Sequence, residues 1–263
     1  RDLVRSRGLG DVYKRQTARC LAAYGITRDD VFSVGYGYGL FTGGLGLHYG
    51  VEHLGATVVP TSTGNTEKHL HLLRDLKVTG LACTPSYALY LAEAMDRYGM
   101  TKDDLHLRVG AFGAEPWTEN MRREIESRLG LQAYNIYGLS EISGPGVSYE
   151  CACKCGSHIC EDHFYPEIIN PDTGEVLPYG ETGELVFTTL TKTGMPLLRY
   201  RTKDLTSLIG EPCECGRTNV RMTRIIGRSD DMLIIRGVNV FPSQIEEEIV
   251  SFPEIAPQYQ LIL

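Results

Sequence analysis

The sequence predicts an α/β fold: mainly parallel sheets with flanking helices, an antiparallel β region, and then the start of a small α/β C-terminal domain. Three observations carry this. From Thr17 onward short apolar runs alternate with helix-length amphipathic stretches, after Glu150 the pattern becomes strand–turn–strand, and beyond Asp230 a strand leads into one more helix. Parallel neighbours need a long crossover, usually helical, so alternation of this kind places helices over the faces of a parallel sheet.

The elements follow in order. "DDVFSVGYGYGLFTGGLG" is an apolar strand that runs into a Gly/aromatic loop and opens a helix, and "GATVVPT" is a short strand. "EKHLHLLRDLKV" is a helix with Leu70, Leu73 and Leu76 at helical spacing. "GLACTPS" gives a strand and turn, with a helix over about Tyr87 to Tyr98. "LRVGAFGAEP" is a strand ending in a Gly-rich turn. In "TENMRREIESRLG" Thr118 is placed to cap a helix and Gly130 to stop it, with Met121, Ile125 and Leu129 on one face. "LQAYNIYG" is the next strand. "FYPEIINPDTGEVLPYGETGELVFTTL" reads as strands joined by turns, and "DMLIIRGVNVFPSQIEEEIVSFPEI" as a strand, a break at Pro242 and a helix carrying Ile245 and Ile249.

Both ends look truncated or foreign. Residues 1–16, "RDLVRSRGLGDVYKRQ", hold five basic residues without periodicity and resemble translated adaptor sequence, so they are expected to be non-native. "QYQLIL" stops inside a strand pattern, which points to a piece of a longer protein. The chain has 263 residues, is 42% hydrophobic and 22% charged, and carries a net charge of −7. That balance suits a globular core and argues against a nucleic-acid partner. No apolar run reaches the roughly 18 residues of a membrane span. The expected setting is cytoplasmic.

Eight cysteines include two tight groups, "CACKCGSHIC" and "CEC". Clustered Cys and His in such a chain reads as a metal clip more naturally than as a disulfide framework. Structural zinc, no metal and an iron–sulfur cluster all remain open.

Three further stretches, "YNIYGLSEISGPG", "RYRTKDLT" and "GRSDDMLIIRGVNVFPSQIEE", resemble successive motifs of the AMP-forming, adenylate-forming enzymes. "YGYGLFTGGLGLHYG" and "FGAEPWT" narrow the resemblance to the phenylacetate–CoA ligase family. It implies part of a large AMP-binding domain over 17–229, then a hinge and the beginning of the small domain over 230–263. The implied reaction joins an aryl acid to ATP as acyl-AMP, then to coenzyme A. Implied partners are small molecules (acid, ATP, coenzyme A), with a homodimer as an expectation.

The resemblance implies a role for each matching residue. Glu141 is the catalytic carboxylate that holds Mg²⁺. Gly113, Ala114, Glu115 and Pro116 form the turn against adenine. Tyr137, Gly138 and Ser140 face the nucleotide. Asp204 accepts the ribose hydroxyls, Arg228 lies near ribose or phosphates, and Asp230 is the hinge. Tyr36, Phe41, Ala114 and Ile136 wall the acid pocket. Cys151, His158, Cys213 and Cys215 are the zinc ligands by position, leaving Cys153, Cys155 and Cys160 surplus or competing.

Gly43, Gly44 and Gly46 lack the "GK[ST]" of a phosphate loop and read as close helix–strand packing. The family's own phosphate loop should precede Thr17 and its catalytic lysine should follow Leu263, so the piece alone is expected to be inactive. Two rivals stay open: an adenylyltransferase resembling coenzyme F390 synthetase, and a zinc-binding module without catalysis.

Overall fold

The computed structural model describes residues 7–39, 41–231, 233–235, 238–240, 242–250 and 252. The strand-like end at 258–263 and residues 1–6 lie outside these.

A nine-stranded sheet forms the centre. Its parallel part runs β2 (Thr57–Val59), β1 (Val31–Val34), β3 (Gly80–Cys83), β4 (Val109–Gly113) and β5 (Gln132–Tyr137). Four short antiparallel strands extend it: β6 (Ser148–Tyr149), β7 (Ser157–Ile159), β12 (Arg221–Met222) and β11 (Leu208–Ile209). The parallel strands are apolar almost throughout because both faces are covered. Alternation along them shows this directly. Ala82, Val109, Ala111, Tyr134 and Ile136 join one core, with α1 (Arg7–Ala23) and α2 (Thr42–Leu54). Leu81, Cys83, Phe112 and Ala133 join another, with α3 (Thr66–Asp75), α4 (Pro85–Arg97) and α5 (Glu119–Leu129).

The local signals explain where helices start and stop. Thr118 accepts the Met121 N–H at 3.2 Å, and Gly130 closes α5 at φ 70°. Asn65 caps α3 through Lys68 N, and Thr84 caps α4 through Tyr87 N. Met121, Ile125 and Leu129 are buried together. Leu76 is the exception on the helical stripes, since α3 ends before it and leaves it 45% exposed.

The antiparallel region is a second sheet in the order β13 (Gly227–Arg228), β10 (Tyr200–Thr206), β9 (Gly183–Thr189), β8 (Phe164–Ile169). The expected short strand after the Pro-Asp-Thr-Gly turn is only a single bridge between Ile169 and Val176. Beyond Asp231 the hairpin β14 (Leu233–Ile235)–β15 (Val238–Val240) precedes α6 (Pro242–Val250). Pro242 therefore opens a helix, where its missing N–H costs nothing.

One expectation needs correction. The close-packing role of Gly43, Gly44 and Gly46 holds, but the partners are not strands. A Cβ at Gly44 would strike the carbonyl of Gly37, and one at Gly46 the ring of Pro145. Gly50 likewise lets α1 approach, since a Cβ there would meet Thr17. The first helix also begins before Thr17. Gln16 lies on α1, is fully buried, and donates from Nε2 to the carbonyls of Ser143 (2.6 Å) and Pro145 (2.5 Å).

Candidate active site

Two adjoining cavities lie where β4, β5 and the second sheet meet. The larger, about 630 Å³, is lined by the 113–117 turn, by Tyr137 and Gly138 at the end of β5, and by Asp204, Gly227 and Arg228. The smaller, about 260 Å³, is lined by Tyr36, Phe41, Thr42 and the 138–141 loop. Both are lined by Ala114, Ile136, Gly138 and Leu139. Position fits the fold, because crevices for ligands form beyond the carboxyl ends of parallel strands.

Backbone conformation sets up the floor. At Gly113 a side chain would collide with the carbonyl of Ile136, so only glycine lets β4 and β5 run this close. The next residue, Ala114, takes φ 70°, a left-handed conformation that alanine adopts at a cost of order 1 kcal/mol or more. The turn is held from below. Trp117 Nε1 donates to Asn135 Oδ1 at 3.0 Å, and its ring lies 4.6 Å from the Arg122 guanidinium carbon. Arg122 makes two 2.8 Å bonds to the Glu150 carboxylate, which also accepts the Asn135 N–H at 2.6 Å. Arg122, Asn135 and Glu150 line the larger cavity and carry no local sequence signal. Glu115, expected at the nucleotide, does line the cavity, but its Oε1 accepts the Ser86 N–H at 2.6 Å at the start of α4.

Asp204 is aimed by a β-bulge. The pairing of β10 with β9 slips between Arg201 and Leu205, and Lys203 sits at φ 70°. Bulges near active sites redirect a side chain in this way. The Asp204 carboxylate is buried, accepts the Tyr137 hydroxyl at 2.5 Å, and lies 3.4 Å from Arg228 Nη1. Burial raises its pKa above the usual carboxylate value, against the opposing pull of Tyr137 and Arg228. Burial and the neighbouring Asp204 push the Tyr137 phenol well above its ordinary value, so it stays a donor. Arg228 pairs with Asp230 through two 2.9 Å bonds, which lower the Asp230 pKa.

In the smaller cavity the rings of Tyr36 and Phe41 lie 5.5 Å apart at a 40° tilt. Tyr36 is buried and its hydroxyl is committed to the carbonyls of Cys83 (2.7 Å) and Gly113 (3.2 Å), so the ring alone faces the space. Ser140 and Glu141 line this smaller cavity rather than the larger one. Glu141 is exposed in a turn, and its backbone carbonyl accepts a hydrogen bond from Lys192 Nζ.

The cysteine cluster is a separate assembly on the antiparallel edge. The donor atoms of Cys151, His158, Cys213 and Cys215 all lie within 4.8 Å of one another. Cys151 Sγ is 3.7 Å from Cys213 Sγ, and Cys215 Sγ is 3.4 Å from His158 Nε2. A tetrahedral ion with about 2.3 Å metal–sulfur bonds has sulfur–sulfur edges of about 3.8 Å, so the donor set fits one. Burial and the nearby Arg217 and Arg221 hold His158 down to about 4, leaving the neutral imidazole that a metal needs. Cys160, expected to be surplus or competing, lies apart from the four donors. It is buried and directed at the Gly146 carbonyl, 3.4 Å away, where Cys20 also points. The eight cysteines are all free thiols.

Strands ending in a close-packed turn, a bulge-aimed carboxylate and a divided crevice define the class. The AMP-binding enzyme profile matches residues 13–191 and the AMP-binding enzyme C-terminal domain profile matches 237–263, and the chain belongs to the AMP-binding enzyme family. Its fold is that of the adenylate-forming enzymes. A crystal structure of 2-hydroxyisobutyryl-CoA ligase in the postadenylation state, in complex with R3-HIB-AMP, superposes with a TM-score of 0.88 at 28% identity. That match covers 96% of this chain and 54% of the other.

Among curated relatives, the chain is 58% identical to a phenylacetate-coenzyme A ligase of Escherichia coli, over 95% of this chain. It is 55% identical to the same enzyme of Thermus thermophilus, over 96%. The chain spans 57% of the length of each. Among the described residues no helix is long and apolar enough to cross a membrane.

Proposed function

We propose that the protein to which this chain belongs activates phenylacetate or a related aryl acid with ATP and transfers the acyl group to coenzyme A. The observation that carries the reading is the divided crevice: an aromatic-walled acid pocket opens into a nucleotide-sized cavity at Ala114, Ile136 and Gly138. In this reading Gly113 to Pro116 lie against adenine, and Asp204 accepts the ribose hydroxyls beside Tyr137 and Arg228. The acid's carboxylate is then delivered from the Tyr36/Phe41 side. Its oxygen attacks the α-phosphorus, and the bond to pyrophosphate breaks as the acyl-AMP bond forms. A coenzyme A thiolate next attacks the acyl carbon and AMP leaves. Glu141 is an exposed hard-oxygen donor suited to Mg²⁺, which would neutralise triphosphate charge. Asp230 serves as the hinge, released or held by its pairing with Arg228. Cys151, His158, Cys213 and Cys215 hold structural zinc that ties the two cysteine loops together. Cysteines held as thiols and zinc thiolates, none in a disulfide, suit a reducing cytoplasm.

The test uses the full-length protein. Phenylacetate should support ATP–pyrophosphate exchange and acetate should not, and coenzyme A should give a thioester with release of AMP. Exchange without thioester would point to an adenylyltransferase instead. Equal kcat/KM for the two acids would refute the pocket assignment.

A further inference from the structure

The zinc tetrad leaves two thiols of the same loop unexplained. Cys153 and Cys155 are exposed, and their sulfurs lie within 4.8 Å of each other and of Cys213. Cys155 Sγ is 3.5 Å from Cys213 Sγ. We propose that Cys153, Cys155 and Cys213 form a second site for a thiophilic d¹⁰ ion such as Zn²⁺, with the Cys213 thiolate bridging it to the ion of the tetrad. The proposal rests on the metal reading of that tetrad.

Geometry and charge both favour it. Cys213 has sulfur neighbours at 3.5 Å and 3.7 Å, one in each group, close to the edge of about 3.8 Å in a zinc–thiolate tetrahedron. The tetrad's three thiolates and one divalent ion sum to minus one, and two further thiolates balance a second divalent ion, so the assembly stays at minus one. Arg221, itself buried, then faces the residue: its Nη1 donates to Cys155 Sγ at 3.1 Å and to the Cys155 carbonyl at 2.5 Å. Buried charge is tolerated when it is paired in this way. Soft thiolates select ions of this class over Mg²⁺ or Ca²⁺. Binding displaces the thiol protons to solvent and leaves sulfur's oxidation state unchanged. Three protein ligands leave the fourth tetrahedral position for water or a small ligand. Because Cys155 also lines the larger cavity, an ion can reach the site from that side.

Zn²⁺ titration of the reduced, metal-free chain tests both readings separately. Bound metal is counted against a chromophoric chelator, and iodoacetamide pulses followed by mass spectrometry report which cysteines remain reactive. The expected result is two equivalents per chain. After the first, Cys153 and Cys155 still alkylate while Cys151 and Cys215 are protected; after the second, all are protected. Cys153→Ser and Cys155→Ser should each reduce binding to one equivalent without lowering the Tm of the one-zinc form. Saturation at one equivalent with Cys153 and Cys155 still reactive overturns the second site and leaves the tetrad standing. A wild type that binds one equivalent, and Cys153→Ser or Cys155→Ser variants that bind none, also overturn it, because those thiols then serve a single shared site. No zinc bound at all overturns both readings.

Discussion

Replacing Glu150 with alanine should cost about 4 kcal/mol of folding stability. The carboxylate holds Arg122 by two 2.8 Å bonds and accepts the Asn135 N–H at 2.6 Å, with Arg122 4% and Glu150 7% exposed. Removing one partner of a buried, hydrogen-bonded pair costs about 3–5 kcal/mol, because the other charge stays buried. The orphaned Asn135 N–H adds about 1–3 kcal/mol. Three contacts offset part of this: Arg122 Nη1 still donates to the Ala133 carbonyl at 2.6 Å, Glu119 remains 3.1 Å from Nε, and the Trp117 ring stays against the guanidinium. The double variant Arg122→Met/Glu150→Leu removes both charges, so it should lose much less than the single variant. Urea unfolding of the wild type, each single variant and the double variant gives the cycle. A cost below about 1 kcal/mol for Glu150→Ala would refute the reasoning, as would a double variant no better than the sum of the singles.

Further predictions concern pH, specificity and metal. His69 is buried between Ser33 and Tyr87, with hydrogen-bond distances of 2.9 and 3.1 Å, and burial lowers its pKa from 6.5 to about 4. The unfolded chain therefore binds the extra proton between those values. Stability is full above pH 6.5 and falls as pH drops toward 4, by about 3 kcal/mol for this group. His69→Asn should flatten that slope in urea titrations at a series of pH values; an unchanged slope contradicts the assignment. In the full-length protein, Phe41→Ala should raise KM for phenylacetate several-fold with little change in KM for ATP, because Phe41 lines only the smaller cavity. Equal changes in both would move Phe41 out of the acid pocket. Cys213→Ser should lose bound zinc and lower the Tm; a metal-free protein of unchanged Tm argues against the staple.

Much of the frame was readable because its signals are local. Thr118 and Gly130 bracket α5 through capping bonds within a few residues, and the apolar stripe of Met121, Ile125 and Leu129 needs only helical periodicity. The strand alternation gave the parallel sheet for the same reason. What was not readable depends on contacts distant in sequence. The Arg122–Glu150 pair joins residues 28 apart, and nothing in "ENMRREIE" or "VSYECACK" marks either as buried. The bulge that aims Asp204 sits at Lys203, a residue with no turn preference to announce a positive φ. Cys160 shares the spacing of the metal loop, yet β7 carries it into the core toward Gly146. Gly44 and Gly46 signalled close approach correctly, but only the fold shows that loop and ring atoms are what approach.

The central claim is that the larger cavity is a nucleotide site organised by Asp204, and calorimetry with ATP on this chain and on Asp204→Ala tests it most directly. Each carboxylate oxygen already has one partner, Tyr137 on Oδ2 and Arg228 on Oδ1, and retains a second lone pair for a ribose hydroxyl. Hydrogen bonds to a charged acceptor contribute about 1.5–3 kcal/mol each. A loss of about 2 kcal/mol or more is predicted, roughly thirtyfold in Kd, with circular dichroism unchanged. An unaltered ATP Kd in a folded Asp204→Ala variant would contradict it.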